Sequence, residues 1–266
     1  MLACVLAYAR SFAGPFIFDD LESIPDNPNI RQLWPITVPL SPPPNLGALG
    51  GRPLVSLSFA VNYALGGLDV RGYHALNLAM HAIAALLLWR VAARTLASPA
   101  LLGRYGGEGT AFAIALVWSL HPLLSEPVTY IVQRTELMMG LFYLLTFYCA
   151  LRAWTDPRRG AWQVAAVAAC ALGMACKEPM VSAPILVVLH DLAFRGQPAR
   201  EVLRERGRFY LALAGSWLVL VGILLGGAQV KGALGGLGNI SSFQYLRIQA
   251  RAIVHYLRLA LWPHPL

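Results

Sequence analysis

Charged residues are scarce in this chain, since Asp, Glu, Lys and Arg make up only 13% of its 266 residues. Cysteine is scarce as well: Cys4, Cys149, Cys170 and Cys176 lie in or beside apolar stretches and lack the spacing of metal ligands. Packing is therefore their expected role, with neither a disulfide nor a metal site. The start of the chain has no charged front followed by an apolar core and a small-residue cleavage site, so a cleaved signal peptide is not expected. No tandem repeat of fixed period occurs.

Hydrophobic residues are abundant, at 57% of the chain, which is a membrane composition. A bilayer core requires roughly 20 predominantly apolar residues per helix. Several windows meet or approach that length: 75–96, 111–132, 137–154, 161–175, 181–194, 209–227 and 245–262. We predict an all-α, polytopic transmembrane helix bundle with about seven spans and a partial first span at 1–8. The chain 1–266 is expected to form one transmembrane domain that is incomplete at both ends.

Positive charge follows the gaps between the windows. The net charge is +8, and most arginines fall in alternate gaps, at 90–104, 152–159 and 195–208. The positive-inside rule makes these gaps cytoplasmic. The long Pro-rich loop 14–72 then lies outside, in the periplasm or exterior, on a multi-pass protein of the inner or plasma membrane. No single basic patch forms, so the bilayer is an expected partner and nucleic acid is not.

Two segments outside the full-length windows are not expected to span the membrane. The apolar run 54–65 is too short to span and predicts an interfacial helix lying on the bilayer. The glycines at 226–238 predict a second external loop.

Two adjacent acids, Asp19 and Asp20, open the long loop. A carboxylate beside a low-dielectric wall has a raised proton affinity, which suits a general base that takes a proton from a hydroxyl. The same pair could bind a divalent cation or form a charged lip. A solvated pair of loop acids is an equally good interpretation of the local sequence.

Three polar residues share one face at the start of the first full window. His74, Asn77 and His81 are spaced by three and four residues, so a helix places them in register. They are expected to face a substrate cavity or a neighbouring helix. A metal site is disfavoured because only the two histidines are good ligands.

Further polar residues gather on the predicted outer side, beside prolines that end or bend helices. Clustered at broken helix ends, they predict a cavity that opens outward and binds substrate. They are His121, Glu126, Arg134, Glu136, Lys177 and Glu178. Helix capping, interfacial anchoring and local ion pairing are the structural alternatives.

The last window carries a polar stripe that includes Arg247 and Arg251. Guanidinium groups bind phosphate through paired, charge-assisted hydrogen bonds. A lipid phosphate would therefore suit this stripe, although an arginine near a helix end can also extend to the interface. Arg251 is the more informative of the two because it lies deeper in the predicted span.

The order of several short motifs resembles the membrane-embedded C-type glycosyltransferases, and most closely the transmembrane and tetratricopeptide-repeat O-mannosyltransferases and their bacterial relatives. The matching residues are Phe18-Asp19-Asp20, Gly51-Arg52-Pro53-Leu54, Tyr73-His74-Ala75-Leu76-Asn77 with His81, His121-Pro122 with Glu126, Arg134-Thr135-Glu136, Lys177-Glu178 and His190-Asp191. The chain departs from the family in having no tetratricopeptide array.

The resemblance implies a helix bundle that transfers a sugar from a polyprenyl-phosphate donor to a hydroxyl acceptor on the non-cytoplasmic side, as in O-mannosylation. It also implies that an acid of the first external loop is the base. Asp19 is preferred over Asp20 because it matches the first position of the family's acidic pair. Two other functions stay open: a transporter or flippase for a lipid-linked or anionic solute, and a non-catalytic membrane scaffold.

Overall fold

The computed structural model describes residues 2–44, 46–226 and 242–264, and its regular structure within these ranges is entirely helical. The predicted all-α class is therefore confirmed. The α-helices of these ranges are α1 Leu2–Tyr8, α2 Asp19–Ser23, α3 Pro53–Gly66, α4 Val70–Leu96, α5 Glu108–Ser119, α6 Ser125–Thr129, α7 Arg134–Thr155, α8 Arg159–Met174, α9 Ala183–Phe194, α10 Ala199–Gly215, α11 Trp217–Gly226 and α12 Ser242–Leu261. Short 3-10 turns join them at Ala9–Ala13, Pro28–Ile30, Gly47–Leu49, Pro122–Leu124, Ile131–Gln133 and Glu178–Ser182. The predicted glycine-rich external loop lies, apart from Gly226, outside the described residues.

Three helical segments in the described ranges are long and apolar enough to cross a membrane: Val70–Leu96, Ile131–Thr155 and Ala199–Gly226. A fourth candidate combines Glu108–Ser119 with Pro122–Thr129, which meet at a 60° bend. The helices α8 and α9 are apolar but shorter, with 16 and 12 residues. The structure thus provides three or four candidate spans rather than the predicted seven.

The long helices alternate in direction. Asn77 near the start of α4 contacts Arg134 at the start of α7, and Arg94 near the end of α4 contacts Thr155 at the end of α7. These two helices are therefore parallel, and α5 with α6 returns the chain between them. Thr95 of α4 also contacts His190 near the end of α9, so α9 has the same direction as α4.

Local sequence accounts for several helix ends. The Asp69 side chain accepts a hydrogen bond from the Arg71 N–H at 3.0 Å and caps α4. Pro53 occupies the first turn of α3, where a missing N–H costs nothing. His121 precedes Pro122 in extended backbone at the bend, as expected for a residue before proline.

The interior of the bundle packs small and sulfur-containing residues closely. All four cysteines are buried, in agreement with the predicted packing role. Gly173 of α8 faces Met180, and a Cβ at this glycine would lie only 2.7 Å from the Met180 sulfur. An alanine at this position would therefore force the buried Met180 side chain to shift.

The long first loop is folded against the bundle. Its residues Ile24, Ile30 and Leu49 are fully buried and pack with Val55 and Phe59 of α3. Burying each of these side chains stabilises the fold by about 1.5–3 kcal/mol. The apolar run 54–65 does form a helix, α3, as predicted, and its position in the membrane interface stays a prediction.

Candidate active site

The two aspartates of the first loop have different environments. Asp20 is only 1% exposed. Its Oδ1 accepts a hydrogen bond from the Val132 N–H at 2.7 Å, and its Oδ2 accepts one from the Ile17 N–H at 3.1 Å. Burial raises the pKa of Asp20, although the two backbone hydrogen bonds oppose this shift. Asp20 therefore ties the loop to the turn before α7.

Asp19 is exposed and lines a cavity of about 320 Å³. Its backbone N–H donates to the Tyr130 hydroxyl at 3.0 Å, which fixes the start of α2. Phe18 precedes it with a φ of 44°, an uncommon backbone conformation for a bulky residue. The side chain of Asp19 is thus presented to solvent and to the cavity by a well-anchored backbone.

Two cations line the same cavity. Arg52 donates to the Ala48 carbonyl at 2.6 Å and lies 3.6 Å from a Glu178 oxygen. Lys177 forms an ion pair with Glu136 at 2.5 Å. Each cation therefore has a carboxylate partner. The buried Nε of Arg52 has no hydrogen-bond partner in the described part of the chain.

Arg134 lies in the sequence between the cavity-lining residues Gln133 and Thr135 and is itself fully buried. Its Nε donates to Asn77 Oδ1 at 2.7 Å and its Nη2 donates to the Tyr73 carbonyl at 3.0 Å, while its guanidinium lies 4.3 Å from the Phe59 ring centroid. Asn77 in turn donates to the Ile131 carbonyl at 3.2 Å. Asn77 therefore contacts both ends of the segment 131–134, which supplies Val132 and Gln133 to the cavity lining.

The histidines predicted beside Asn77 are each 1% exposed. His74 Nε2 lies 3.0 Å from the Gly14 carbonyl, and His81 Nε2 lies 2.9 Å from the Ser119 carbonyl. These contacts join neighbouring segments, which was the structural alternative for this face. A direct contact of His74, Asn77 or His81 with substrate stays a prediction.

A second cavity of about 350 Å³ adjoins the first, and both share Gln133. His81, Glu126 and Glu136 supply polar groups to its otherwise largely apolar lining. The Gln133 amide donates to Glu126 at 3.1 Å. His121 instead accepts from the Leu123 N–H at 3.3 Å and so caps the turn at the bend.

Arg247 and Arg251 lie on α12, where both are exposed. Most of this helix is exposed, and Leu259 is its one buried residue among those whose burial is described. The structure does not bring these arginines into the lining of either cavity. Their contact with a lipid phosphate stays a prediction.

Some cavity residues were not among the predicted site residues, although Arg52 and Thr135 belong to motifs of the family resemblance. Arg52, Gln133 and Thr135 line the first cavity, and Tyr130 supports its edge. An arginine directly before the proline that starts α3 is a signal that could have identified Arg52. Nothing in the local sequence distinguishes Tyr130 from other aromatic residues near helix ends.

The acid pair does not converge on a common ligand position, since both Asp20 oxygens accept backbone N–H groups. Within residues 2–44, 46–226 and 242–264, no group of three or more His, Cys, Asp or Glu side chains is arranged to hold a metal ion.

Residues 53–226 match the sequence profile of the family described as dolichyl-phosphate-mannose-protein mannosyltransferase. The chain is 28% identical to Drosophila melanogaster protein O-mannosyl-transferase Tmtc3, covering 72% of this chain and 23% of the relative. It is 29% identical to Mus musculus protein O-mannosyl-transferase TMTC4 (73% and 29%) and 30% identical to D. melanogaster protein O-mannosyl-transferase Tmtc2 (77% and 23%). The chain thus spans about a quarter of the length of these relatives. No solved structure is significantly similar to it.

Proposed function

Since the chain belongs to the dolichyl-phosphate-mannose-protein mannosyltransferase family, we propose that it transfers a hexose, mannose in the first instance, from a polyprenyl-phosphate carrier to a hydroxyl acceptor. One observation in the structure carries the proposal: an accessible acid, Asp19, shares a cavity with two cations, Arg52 and Lys177. Transfer from a phosphate carrier requires both a base and positive charge at the leaving group.

In the proposed reaction Asp19 accepts the proton of the acceptor hydroxyl. The hydroxyl oxygen forms a bond to the anomeric carbon as the bond from that carbon to the carrier phosphate breaks, which inverts the configuration. Arg52 and Lys177 offset the charge that develops on the departing phosphate. The role of Asp20 is to position the loop, because both of its oxygens are occupied by backbone groups.

The adjoining cavity suits the carrier. Its lining includes Trp118, Leu123 and Leu141, and it meets the first cavity at Gln133. A polyprenyl chain in this apolar cavity would bring its phosphate toward Lys177. Arg247 and Arg251 remain candidates for a second contact with the phosphate.

A multi-pass arrangement is part of the proposal. The alternation of direction from α4 to α11 supports successive crossings, and the arginine-rich ends lie opposite Asp19. By the positive-inside rule the Asp19 end then faces the non-cytoplasmic side. Residues 14–72 form the external catalytic loop of one transmembrane domain.

The test compares Asp19→Asn with Asp26→Asn, because Asp26 is also exposed in the first loop but does not line the cavity. Membranes containing each variant receive radiolabelled polyprenyl-phosphate mannose and a pool of peptide acceptors. We expect Asp19→Asn to lower transfer by about 10²–10⁴-fold at unchanged protein level, as for loss of a general base. Asp26→Asn should transfer at the normal rate.

The broken helix α5–α6 is a feature also found in transporters, where interrupted helices line the solute site. A transporter or flippase would retain function in Asp19→Asn. Normal movement of a lipid-linked sugar across the membrane by this variant, without transfer by the wild type, would replace the proposal with this alternative. Absence of both activities would favour the scaffold.

A further inference from the structure

A third cavity, of about 430 Å³, lies at the opposite end of α4 and α7 from Asp19. Arg94 and Thr155 line it, whereas Asn77 and Arg134 mark the other end of the same two helices. At 1.5 Å per residue these ends are roughly 25–30 Å apart, close to the thickness of a bilayer core. This cavity is therefore separate from the candidate active site.

Several polar donors of this cavity are unused. Arg94 donates from Nη1 to the Thr155 hydroxyl at 3.3 Å, but its buried Nε has no partner in the described part of the chain. The same holds for the buried Nη1 of Arg195 and the buried hydroxyl of Ser98. Two guanidinium groups and one hydroxyl at a single cavity thus have hydrogen-bonding capacity that the protein does not use.

The acids near this cavity are already committed to other partners. Asp191 accepts from Arg206 at 2.7 Å, from the Tyr210 hydroxyl at 2.8 Å and from the Trp154 indole at 2.9 Å. It therefore neutralises Arg206 and has little capacity left for a further cation. These three bonds keep Asp191 buried and unavailable to Arg94.

The cations that line this cavity outnumber the carboxylates that pair with them. Glu205 pairs with Arg195 at 2.5 Å. No carboxylate in residues 2–44, 46–226 or 242–264 lies within 4.0 Å of Arg94, which contacts the neutral Thr155. One cation at the cavity therefore has no counter-ion, and a partly buried cation without a counter-ion favours an anionic ligand.

Aromatic stacking fixes the arginines in place. The guanidinium carbons of Arg195 and Arg206 lie 3.4 Å and 3.6 Å from the centroid of the Trp154 ring, so the indole lies between the two groups. Arg195 is thereby pre-organised, and less side-chain entropy is lost when it binds a ligand. The apolar residues Leu151 and Phe194 complete the wall beside it.

We propose that this cavity binds a phosphate group, with Arg94, Arg195 and Ser98 as its ligands. Paired guanidinium groups match phosphate oxygens through charge-assisted hydrogen bonds. Basic pockets between helices near the arginine-rich face of a membrane protein suit the headgroups of anionic phospholipids, and a free phosphate offers the same chemistry. The proposal does not depend on the transfer activity at Asp19.

The test uses the full chain, purified in detergent and supplied with either phosphatidylglycerol or phosphatidylcholine of matched acyl chains. Lipids that remain bound are counted by native mass spectrometry. We expect the wild type to retain phosphatidylglycerol in preference to phosphatidylcholine. Arg94→Gln should weaken this retention by about tenfold or more, since a hydrogen bond to a charged group contributes about 1.5–3 kcal/mol. Arg195→Gln provides a second variant if Arg94→Gln does not fold.

The matched control is Arg90→Gln, one helical turn earlier on α4, where the arginine is exposed and lies 3.6 Å from Glu108. It should retain phosphatidylglycerol like the wild type. If inorganic phosphate raises the wild-type melting temperature, and not that of Arg94→Gln, while neither lipid is preferred, the site takes free phosphate. Equal retention of both lipids with no effect of phosphate would overturn the proposal, as would equal losses in Arg90→Gln and Arg94→Gln.

Discussion

Replacing Asn77 by leucine should destabilise the fold strongly, because the change leaves the Nε of the buried Arg134 guanidinium without its acceptor. Asn77 Oδ1 is the acceptor for Arg134 Nε at 2.7 Å, and its amide is the donor to the Ile131 carbonyl at 3.2 Å. An unsatisfied buried group costs about 1–3 kcal/mol, and more when it is charged. The two losses together give about 3–5 kcal/mol, and leucine fills nearly the same volume, so no cavity adds to this figure.

A second buried asparagine provides the control. Asn62 is 7% exposed and its Oδ1 has no hydrogen-bond partner in the described ranges. Asn62→Leu therefore removes an unsatisfied polar group and should be neutral or stabilising. The two substitutions are chemically identical, and they differ only in whether the amide they remove is bonded.

The assay is the temperature at which half of the detergent-solubilised protein is lost from the monodisperse peak. For a chain of this size about 1 kcal/mol corresponds to about 2–4 °C, so Asn77→Leu should lower this temperature by about 6 °C or more. Asn62→Leu should leave it unchanged or raise it. Equal melting temperatures for the two variants would refute the argument that Asn77 supports Arg134.

Three further predictions concern other parts of the fold. Burial raises the folded-state pKa of Asp20, so the stability that this residue contributes is present below its unfolded pKa and is lost as pH rises through its folded pKa. Melting curves should therefore show that the stability of the wild type, relative to Asp20→Asn, falls as pH rises from acidic to neutral. Asp191→Asn leaves buried Arg206 without its counter-ion and should cost about 3–5 kcal/mol, seen as a lower melting temperature; an unchanged value would contradict the pairing. Gly173→Ala places a Cβ 2.7 Å from the Met180 sulfur, and this overpacking should lower the free energy of unfolding by about 1–3 kcal/mol. Gly160→Ala is the control, because its added Cβ meets nothing within 4 Å and should leave the stability unchanged.

Apolar runs predicted the helices well, because hydrophobic length and proline placement are local properties of the chain. The windows at 75–96 and 137–154 correspond to α4 and α7, and the bend falls at Pro122. The number of spans was overestimated, because the windows 161–175 and 181–194 do form α8 and α9, but these helices have only 16 and 12 residues. Such lengths fall short of the roughly 20 residues that a membrane span requires.

The candidate site was only partly predictable for the same reason. The sequence singled out Asp19 and Asp20 as a pair, but their separation into an exposed and a buried acid depends on the Val132 N–H, 112 residues away. Likewise, a polar helix face containing Asn77 has the same pattern whether it lines a cavity or holds Arg134. Only the tertiary contacts distinguish these roles.

The conformation of Phe18 makes the cavity mouth depend on a residue that does not line it. A bulky residue at a φ of 44° costs about 1–3 kcal/mol, and an 80% exposed ring recovers little of this by packing. The bonds from Asp20 to the neighbouring backbone offset that cost, so releasing Asp20 would allow Phe18 to relax and Asp19 to turn away. Under the proposed function, a mutational screen that scores only activity would then find both aspartates essential. A screen that also scores protein abundance would separate the proposed base, Asp19, from the acid that holds the loop in position, Asp20.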